Sequence, residues 1–469
     1  MNLPNMLDAK KRDKNSVEHI YLDQEVSDMY NDKKYFLKTY GCQMNVHDSE
    51  EIAYILESVG MTKIDTIEGA DVVVLNTCAI RENAHDKLYG FLGRCKHEKE
   101  TNNHDLIICI CGCMPQEESV SNDLIKNHPY VDIVFGTHNI FELEDMLLNK
   151  MERQDIRVYS KEGEVYENIP YKRDSKFKAW VDIQYGCDKF CTYCIVPYTR
   201  GKQRSRKSEE IVKEVECLVK NGYKEVTLLG QNVNAYGKDI NDLSFAELLL
   251  KVSDTGIERV RFVTSHPWDF SDDMISAIAS RDNIMPYIHL PLQSGSSRIL
   301  KLMGRRYTKE EYLTLFKKIK DTIKNVAVTT DIIVGFPNET EEDFNETLEV
   351  VNECKYDSAF TFIYSPREGT PAAKMQDDIP LEVKEERLHK LNDLVNKYAK
   401  ENNLKYEGKT VKVLLEDYSE KDKNLLMGYT DTMKLVNVKA DSKYLGSIVD
   451  VKITSAKSWS LDGEMVEEK

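Results

Sequence analysis

Short apolar runs alternate with longer amphipathic segments along most of the chain. In the first such region, over residues 34–150, the runs fall at residues 35–39, 71–75, 106–110 and 131–135. Runs rich in Val, Ile and Leu that are separated by helical stretches predict parallel strands joined by crossover helices. The polar residues 151–177 show no apolar periodicity and are interpreted as a linker, and residues 1–33 as a polar N-terminal extension.

The alternation resumes with longer units over residues 178–403. A charged helix is predicted over residues 381–403 at the end of this region. Six strand candidates precede it, at residues 179–185, 225–229, 259–264, 287–292, 326–334 and 359–364. A closed barrel of alternating strands and helices has about eight such units. Six units therefore predict an open, partial (β/α)6 barrel.

Three helix starts in this region carry capping residues. Ser208 precedes two acids and is predicted to be an N-cap, with Gly222 ending the same helix. Thr308 followed by a glutamate three residues later predicts a capping box. Thr340 followed by an aspartate at the same spacing predicts an acidic variant of that box. These signals support helices between the predicted strands.

The period changes again in residues 404–469, where apolar and polar side chains alternate. Strands are predicted there at residues 410–415, 434–438 and 448–453. Short strands in so small a region indicate a small antiparallel β-barrel, a shape often used to bind RNA. The fold class predicted for the whole chain is therefore α/β, with a parallel-sheet domain, a partial barrel and a C-terminal β-barrel.

The composition, with 41% hydrophobic and 31% charged residues, is typical of a soluble globular protein. No apolar run approaches the roughly 20 residues that a bilayer-spanning helix needs. The N-terminal residues lack the apolar region of a secretory signal, so we expect a cytoplasmic protein without a membrane contact. The net charge of −16 argues against a protein that coats nucleic acid generally, but it is compatible with a local basic patch.

The cysteines add candidate chemistry to this picture. There are 11, and they are clustered, which in a long cytosolic chain favours metal ligation over disulfides. Cys187, Cys191 and Cys194, here called the clustered triad, follow a predicted strand with a C-x3-C-x2-C spacing. Clusters of four irons normally have four thiolate ligands. Three thiolates therefore predict a cluster whose fourth iron is open to a small molecule, and hence a reactive site.

A second set of three cysteines is spread along the N-terminal region. Cys42, Cys78 and Cys113, here called the dispersed triad, each lie just past the C-terminal end of a predicted parallel strand. Such strand ends lie along one edge of a sheet, so the three thiols are predicted to converge and to hold a second cluster with an open iron. The alternative is that they are ordinary buried cysteines.

The remaining cysteines are interpreted as packing residues. Cys109 and Cys111 are assigned to the interior of the third predicted strand. Cys95, Cys217 and Cys354 lie in segments with helical patterns. Only Cys113 lies in the turn after the third strand, and it is therefore chosen over its neighbours as the ligand.

A basic run follows the clustered triad directly. Its first cations are Arg200, Lys202, Arg204 and Arg206. Its position beside the reactive site favours contact with an anionic substrate, because binding to phosphates needs local Lys and Arg. The alternative is a solvated loop that leads into the next helix.

These motifs together resemble a known group of enzymes. The loop that carries the clustered triad resembles that of the radical S-adenosylmethionine enzymes. The three-region plan resembles the methylthiotransferases among them, which have a methylthiotransferase N-terminal domain, a radical core and a C-terminal TRAM domain. Five segments resemble the members of this family that act on N6-isopentenyladenosine in tRNA: residues 39–45 (TYGCQMN), 229–236 (LGQNVNAY), 264–267 (TSHP), 289–295 (HLPLQSG) and 364–371 (YSPREGTP).

The resemblance implies transfer of a methylthio group to C2 of N6-isopentenyladenosine, next to the anticodon of a tRNA. It implies two [4Fe-4S] clusters, and S-adenosyl-L-methionine both as radical source and as methyl donor. The clustered triad would hold the cluster that reduces this cofactor, and the dispersed triad the cluster that carries the sulfur. An aromatic C–H bond of adenine is not acidic, so acid–base catalysis alone is insufficient and cofactor-derived radical chemistry is expected.

Further contacts follow from the same resemblance. Gln231, Asn232 and Asn234 after the second core strand are expected to bind the cofactor, with loop capping as the alternative. Gly335 after the fifth strand is expected to allow close approach of a ligand. His266 is interpreted either as a substrate contact or as a structural histidine. The basic run and the C-terminal barrel are expected to hold the RNA backbone.

Partners and alternative functions complete the expectation. The resemblance implies a tRNA anticodon loop as substrate, an electron donor such as a flavodoxin or ferredoxin, and a sulfur source, and we expect a monomer. The nearest alternative is a sister methylthiotransferase that acts on threonylcarbamoyl-adenosine or on a ribosomal-protein aspartate. A more distant alternative is a non-enzymatic iron–sulfur RNA-binding regulator, against which the open iron position argues.

Overall fold

The structure is a computed structural model that describes residues 19–21, 30–79, 82–149, 154–159, 165–167 and 170–466. Its N-terminal region is built on parallel strands. The N-terminal strands are β1 (His19–Tyr21), β2 (Lys34–Thr39), β3 (Thr62–Lys63), β4 (Val72–Thr77), β5 (Ile107–Gly112), β6 (Ile133–Phe135), β7 (Asp155–Arg157) and β8 (Val165–Glu167). The helices are α1 (Gln43–Ser58), α2 (Glu82–Thr101), α3 (Glu118–Asn127) and α4 (Leu143–Leu148). Six strands form a parallel sheet in the order β3-β2-β4-β5-β6-β7, and β1 pairs with β8.

The central strands of this sheet are apolar because helices cover both faces. All six residues of β4 and all six of β5 are buried. One face packs on α1 and α4 through a cluster that includes Ile52 and Leu143. The other face packs on α2 and α3 through Leu92 and Leu124. With both faces covered, the strand ends are where this sheet can present functional groups.

The four N-terminal strands predicted from the sequence correspond to β2, β4, β5 and β6. The apolar pattern does not reveal β3 and β7, because strands of two or three residues carry too little periodicity. β7 extends the sheet beyond residue 150, and β1 pairs with β8. The predicted linker and the predicted N-terminal extension therefore both contribute strands.

The central region is an open barrel of six parallel strands. Its strands are β9 (Lys178–Asp182), β12 (Glu225–Leu229), β13 (Arg259–Phe262), β14 (Tyr287–His289), β15 (Ala327–Val334) and β16 (Ser358–Ile363), and a short antiparallel pair is formed by β10 (Gln184–Tyr185) and β11 (Arg204–Ser205). The sheets β9-β12-β13 and β14-β15-β16 are joined by a bridge between Val260 and Ile284. The helices are α5 (Val196–Thr199), α6 (Ser208–Lys220), α7 (Phe245–Ser253), α8 (Asp272–Ala279), α9 (Ser297–Leu302), α10 (Lys309–Thr322), α11 (Glu341–Cys354) and α12 (Leu381–Leu404).

All six predicted core strands are present, most of them shortened at their ends, and α12 matches the predicted final helix. Thr308 and Thr340 form capping boxes as predicted. Ser208 is not the N-cap of α6, because Lys207 occupies that position and the Ser208 hydroxyl donates to Asp242 at 2.8 Å. The Ser208 hydroxyl is thus bonded to a carboxylate of another segment and does not cap the helix. Within the part of the chain that the structure describes, no helix has the length and apolar character to cross a membrane.

The C-terminal region is a closed barrel of five strands. These are β17 (Thr410–Tyr418), β18 (Leu426–Thr430), β19 (Leu435–Lys439), β20 (Ile448–Ala456) and β21 (Leu461–Met465), in the order β17-β18-β19-β21-β20. The sequence predicts three of them and misses β18 and β21, whose patterns are interrupted by Gly428 and Gly463. The prediction of a wholly antiparallel barrel is wrong, because β19 and β21 run parallel.

The small barrel docks at the N-terminal ends of the core strands. Arg259, the first residue of β13, donates to the backbone oxygens of Tyr429 and Lys412 at 2.9 and 3.0 Å. Lys178, the first residue of β9, forms an ion pair with Glu416 at 2.5 Å. The opposite, C-terminal ends of the core strands are therefore left to the N-terminal sheet and to the cysteine loops.

Candidate iron–sulfur and cofactor site

The dispersed triad lies along one edge of the N-terminal sheet. Cys42 is the N-cap of α1 after β2, Cys78 follows β4, and Cys113 follows β5 at the start of a short helical turn. Since β2, β4 and β5 are neighbours in the sheet, the three loops meet at its C-terminal edge. A Cβ on Gly41, at φ +146°, would lie 2.7 Å from Cys78 Cβ. The close approach of these loops thus requires glycine.

Buried amides hold the three loops in place. Asn45 Nδ2 donates to Asn76 Oδ1 and to the Thr77 carbonyl, both at 3.1 Å. The Cys113 amide donates to the same Thr77 carbonyl at 2.8 Å. The Cys42 thiol donates to Asn45 Oδ1 at 3.4 Å. The triad is therefore positioned by hydrogen bonds between consecutive strand ends.

Arg200 from the basic run reaches into this edge of the sheet. It forms a buried ion pair with Asp48, with Nη2 and Oδ2 2.5 Å apart. It also lies close enough to Cys113 to oppose the rise in that thiol's pKa that burial causes. A hydrogen bond with Cys78 lowers the pKa of Cys42 to about 6, and the nearby Arg200 cation acts in the same direction. Cys42 is therefore shifted toward the thiolate, the form that binds iron, and Arg200 favours that form at Cys113 against the effect of burial.

The clustered triad lies on a loop over the C-terminal ends of the core strands. A Cβ on Gly186, at φ +73°, would lie 2.0 Å from the Lys202 carbonyl oxygen, so the loop begins at an obligatory glycine. The Cys187 amide donates to the Gly201 carbonyl at 3.1 Å. Arg305 Nη1 lies 3.5 Å from Cys191 Sγ. The sequence prediction did not identify Arg305, since nothing in the local pattern distinguishes it.

Burial controls the thiols of the clustered triad. It raises the pKa of Cys194 to about 12 and that of Cys187 still further. These two thiols are therefore neutral at physiological pH without a metal. A coordinating metal deprotonates such a thiol. The loop is thus suited to bind iron with release of protons.

The segments that carry the two triads pack against each other. Cys113 and Ala79 from the sheet edge pack in one apolar cluster with Ile195 and Tyr198, which follow the clustered triad, and Phe190 packs against it. Thr137 Oγ1 also donates to the Thr199 carbonyl at 2.6 Å across the same boundary. The fold therefore brings together two sets of three thiols, each with the ligand number of a [4Fe-4S] cluster that has one open iron.

The other cysteines lie in the predicted elements, but Cys217 is exposed, so its prediction as a packing residue is wrong. Cys109 and Cys111 are buried within β5, with the Cys111 thiol 3.8 Å from the Leu75 carbonyl. Cys95, Cys217 and Cys354 lie in α2, α6 and α11. Cys113 is the cysteine of this stretch that reaches the turn beyond the strand.

Two of the predicted cofactor residues have buried polar atoms that fit a bound ligand. Gln231 follows β12, and both polar atoms of its side-chain amide are buried without a hydrogen-bond partner in the described part of the chain. Asn232 donates to Asp269 at 2.7 Å, but its Oδ1 is likewise buried and unsatisfied there. Buried polar groups are nearly always satisfied, so these atoms are consistent with contacts to a polar cofactor.

Two other predicted contacts are occupied by the protein itself. Asn234 accepts from the His266 amide at 2.8 Å and donates to Met274 Sδ at 3.1 Å. The Gly335 amide donates to Glu339 at 2.7 Å, and a Cβ on Gly335 would lie 2.4 Å from the Lys384 side chain. Both residues therefore have partners within the protein, and their predicted ligand contacts stay predictions.

His266 is also a structural residue in this arrangement. Its Nδ1 accepts a hydrogen bond from the Trp268 amide at 3.2 Å, which caps the turn that follows. Burial, together with the nearby Arg305 cation, lowers the pKa of His266 to about 2. The imidazole is therefore neutral, which favours the structural interpretation over a cationic contact with RNA.

The basic run is not the exposed patch that the sequence predicts. Arg206 is only 2% exposed and bonds Glu167 at 2.9 Å and Glu214 at 2.8 Å. Arg204 is buried against Tyr185, and Arg200 is buried as described above. Three of the four residues predicted to grip RNA are thus buried, and Lys202 is partly exposed.

A buried charged cluster next to the dispersed triad escapes the sequence prediction. It consists of His47 and Glu51 on α1 and Asp182 at the end of β9, with ligand atoms within 4.8 Å of one another. The spacing of His47 and Glu51 places both on one helix face. That spacing is a weak signal, and nothing in the sequence indicates that Asp182 joins them.

Three family descriptions match the chain in order. The description "Uncharacterized protein family UPF0004" matches residues 34–136, the radical SAM superfamily matches residues 181–351 and the TRAM domain matches residues 404–466. These matches fall on the N-terminal sheet, the partial barrel and the five-stranded barrel.

Solved structures share the fold at low sequence identity. The radical S-adenosylmethionine methyltransferase TsrM from Kitasatospora setae, with cobalamin and a [4Fe-4S] cluster bound, aligns with a TM-score of 0.53 and 13% identity over 73% of this chain and 77% of that chain. The same enzyme with tryptophan and a SAM analogue also gives a TM-score of 0.53, over 73% of this chain and 75% of that chain. At this identity the likeness concerns the fold alone.

Curated relatives are similar over almost their whole length. The tRNA-2-methylthio-N(6)-dimethylallyladenosine synthase of Bacillus cytotoxicus is 55% identical over 472 residues, which is 99% of this chain and 92% of the relative. The enzymes of the same name from Bacillus subtilis and Staphylococcus aureus are each 53% identical with the same coverage. The chain therefore belongs to the family of the tRNA-2-methylthio-N(6)-dimethylallyladenosine synthases.

Proposed function

We propose that this enzyme transfers a methylthio group to C2 of N6-isopentenyladenosine next to the anticodon of tRNA. The observation that carries the proposal is the apolar contact between Cys113 of the dispersed triad and Ile195 and Tyr198, which follow the clustered triad. The high identity to relatives named for this activity over 99% of the chain supports the same substrate. A single cluster would suffice for radical generation alone, whereas two fit the separate tasks of radical generation and sulfur delivery.

We propose that the clustered triad and the dispersed triad each hold a [4Fe-4S] cluster. When bound, these clusters and S-adenosyl-L-methionine supply the 5′-deoxyadenosyl radical, the sulfur and the methyl group. The chain's own contribution is to position these groups and to exclude water. Arg305 sits beside Cys191, and Arg200 beside Cys113, so each triad has a buried guanidinium that stabilises its thiolates.

Gln231 and Asn232 are proposed to hold the polar part of S-adenosyl-L-methionine. Their unsatisfied amide atoms lie just past β12, on the same side of the barrel as the cysteine loop. Gln184 fixes this segment by donating to the Asn232 carbonyl at 2.8 Å. A preformed, immobilised amide pair orients a ligand at low entropic cost.

Exposed aromatic residues on the last core strand are proposed to receive the modified base. Phe360 and Phe362 are 53% and 43% exposed. They are two residues apart on β16, so both side chains point to the same face. His289 on β14 packs edge-on to Phe360, with ring centroids 6.1 Å apart. A base splayed out of an RNA loop can stack on such side chains, and the isopentenyl group would contact the same apolar surface.

The C-terminal barrel is proposed to hold the tRNA outside the reacting nucleotide. Trp459 is 64% exposed and Tyr418 is 38% exposed on this barrel. Exposed aromatic side chains stack on bases without regard to sequence. We further propose that the enzyme works as a monomer in the cytoplasm, with flavodoxin or ferredoxin as electron donor and a separate source of sulfur.

Anaerobic turnover tests this function. The protein is reconstituted with iron and sulfide, then incubated with S-adenosyl-L-methionine, a reductant, and matched tRNAs that carry or lack the isopentenyl group. Mass analysis of nucleosides should show the methylthio product only with the isopentenylated tRNA, together with 5′-deoxyadenosine. Modification of threonylcarbamoyl-adenosine instead would identify a sister enzyme, and tRNA binding without any 5′-deoxyadenosine would identify a non-enzymatic regulator.

A further inference from the structure

The charged cluster of His47, Glu51 and Asp182 lies where the N-terminal region meets the barrel. His47 and Glu51 are one turn apart on α1, and Asp182 ends the first core strand. His47 Nδ1 is 3.0 Å from Asp182 Oδ2 and 3.8 Å from Glu51 Oε1. His47 and Asp182 are completely buried, and Glu51 is almost so. Three ligating groups from two regions thus converge on one point.

The polar atoms of this cluster are poorly satisfied. Neither ring nitrogen of His47 and neither carboxylate oxygen of Asp182 has a hydrogen bond of acceptable geometry among the residues that the structure describes. Leaving such groups unsatisfied in the interior is normally costly. His47 does contact the Tyr171 ring, with centroids 4.6 Å apart, but that contact satisfies no nitrogen. His47 Nδ1 and Asp182 Oδ2 lie against each other at 3.0 Å, while His47 Nε2 and Asp182 Oδ1 have no hydrogen-bond partner in the described part of the chain.

The carboxylates around the cluster pair with arginines, whereas the carboxylates of the cluster lie against His47. Asp48 beside Glu51 pairs with Arg200 at 2.5 Å, and Glu50 pairs with Arg173 at 3.1 Å. Glu51 and Asp182 have His47 as their single ion-pair partner within the described ranges. Two carboxylates therefore share one imidazole. A cation with two positive charges balances two carboxylates and leaves the imidazole neutral, which is its metal-binding form.

We propose that His47, Glu51 and Asp182 form a binding site for a first-row divalent transition-metal cation at the contact between the N-terminal region and the barrel. One imidazole nitrogen with two carboxylate oxygens is a donor set that suits Mn²⁺, Fe²⁺ or Zn²⁺. The ligand atoms lie within 4.8 Å of one another. Ligands that each sit about 2.1 Å from one ion are roughly 3–4 Å apart, so a small inward movement completes the site.

A neighbouring cavity provides room for the remaining ligands. It measures about 40 Å³, and Glu51, Tyr185, Arg200 and Arg204 are among the residues that line it. A cavity of this size holds at least one water, since one water needs about 10–15 Å³. Glu51 thus connects the three ligands to a space in which water could complete the coordination.

This site is separate from the two cysteine triads. The Asp48–Arg200 ion pair stands between it and Cys113, because Arg200 contacts both Asp48 and that thiol. The ligands are nitrogen and carboxylate oxygen rather than sulfur. Mn²⁺ prefers such ligands to thiolates, so it can probe this site in protein that already carries its iron.

The test is binding of Mn²⁺ to the reconstituted, desalted protein under anaerobic conditions, followed by electron paramagnetic resonance of free Mn²⁺. We expect one ion per chain and at least about 100-fold weaker binding in Glu51→Gln and in Asp182→Asn, because loss even of an outer-shell partner costs 10–100-fold. Iron content and near-ultraviolet circular dichroism should be unchanged in Glu51→Gln. Equal Mn²⁺ affinity in wild type and Glu51→Gln would overturn the proposal.

A matched control is provided by His289→Gln. His289 also lies near a carboxylate, 3.3 Å from Asp331, but only one carboxylate is present, so this variant should bind Mn²⁺ like wild type.

The melting temperature of the wild-type protein provides a second test that needs no variant. Mn²⁺ should raise it by about 2 °C or more at saturating concentration, whereas Mg²⁺, which disfavours nitrogen ligands, should not. If Mn²⁺ neither binds to the wild-type protein nor raises its melting temperature, the proposed site is also refuted.

Discussion

The clustered and dispersed triads present the same number of thiols to iron but are assembled in different ways. The clustered triad lies within one loop that starts at Gly186 and is fixed over the barrel by contacts such as that of the Cys187 amide with Gly201. The dispersed triad depends on three neighbouring strands and on the amides that join their ends. Local chain geometry builds the first site, whereas the packing of a whole sheet builds the second.

This difference implies different sensitivities. A site within one loop tolerates movement of the surrounding domain, because its ligands move together. A site on three strand ends is lost when any strand shifts relative to its neighbours. The shared apolar contact of Cys113 with Ile195 and Tyr198 then couples the two sites in space without making them equally robust.

Removal of one thiol from each triad should have the largest effect. Cys191→Ala should reduce 5′-deoxyadenosine formation to the background seen without enzyme, because the clustered triad is assigned to S-adenosyl-L-methionine cleavage. Cys113→Ala should abolish the methylthio product but leave 5′-deoxyadenosine formation measurable. Product analysis by mass spectrometry separates the two. Loss of S-adenosyl-L-methionine cleavage in Cys113→Ala with its remaining iron intact would contradict the division of tasks.

Arg200 and Arg305 offer the next contrast. Arg200→Met leaves Asp48 buried without its partner, so we expect a loss of about 3–5 kcal/mol in the free energy of unfolding, and loss of iron from the dispersed triad. Arg305→Met should instead weaken S-adenosyl-L-methionine cleavage, because Arg305 contacts Cys191. Denaturant unfolding and iron analysis measure the first effect. Identical iron loss and product patterns in both variants would show that the arginines do not serve separate triads.

Gly41→Ala tests the packing of the strand ends without removing a ligand. The added Cβ would lie 2.5 Å from Asn45 Oδ1 and 2.7 Å from Cys78 Cβ, so we expect about 1–3 kcal/mol of destabilisation and loss of about four irons per chain. Gly69→Ala is the control, because it also has positive φ but nothing within 4 Å. Equal iron content in the two variants would mean that the dispersed triad tolerates more movement than its packing indicates.

The smallest expected difference is the rate at which a chelator removes iron. Two thiols of the clustered triad, Cys187 and Cys194, are partly exposed, whereas in the dispersed triad only Cys42 is. In protein without S-adenosyl-L-methionine, we therefore expect a fast loss of about four irons from the clustered triad and a slower loss from the dispersed triad. Stopped-flow absorbance with an iron chelator resolves the two phases, and Cys191→Ala should lack the fast one. A single phase in wild type would indicate equal access to both sites.

The sequence predicts the positions of the ligands better than it predicts their surroundings. The strand ends that carry Cys42, Cys78 and Cys113 are visible because β4 and β5 are continuous apolar runs. The short strands β3 and β7 and the interrupted strands β18 and β21 are not visible, since two or three residues, or a central glycine, hide the period. The amides at Gln231 and Asn232 are also found, because they directly follow a clear strand.

Polar residues whose partners are distant in the sequence are misjudged. Arg206 belongs to a basic run, but its partners Glu167 and Glu214 lie on other segments, and the run is therefore buried rather than exposed. Asn234 and Gly335 follow strands as ligand contacts would, yet protein groups already occupy their polar atoms. A one-dimensional pattern reports where a charge is, but not what neutralises it.

The sequence by itself determined the spacing of the clustered triad, the long strands of the N-terminal sheet and the barrel, and the motifs that mark the family. These features depend on spacings of a few residues, which covalent geometry and helical or extended periods convert directly into positions. Only the tertiary structure decided that the three loops of the dispersed triad come together, that the arginines of the basic run are buried and that Asp182 joins His47 and Glu51. Those contacts depend on how sheet and barrel pack, because burial pairs charges from segments that no local spacing connects.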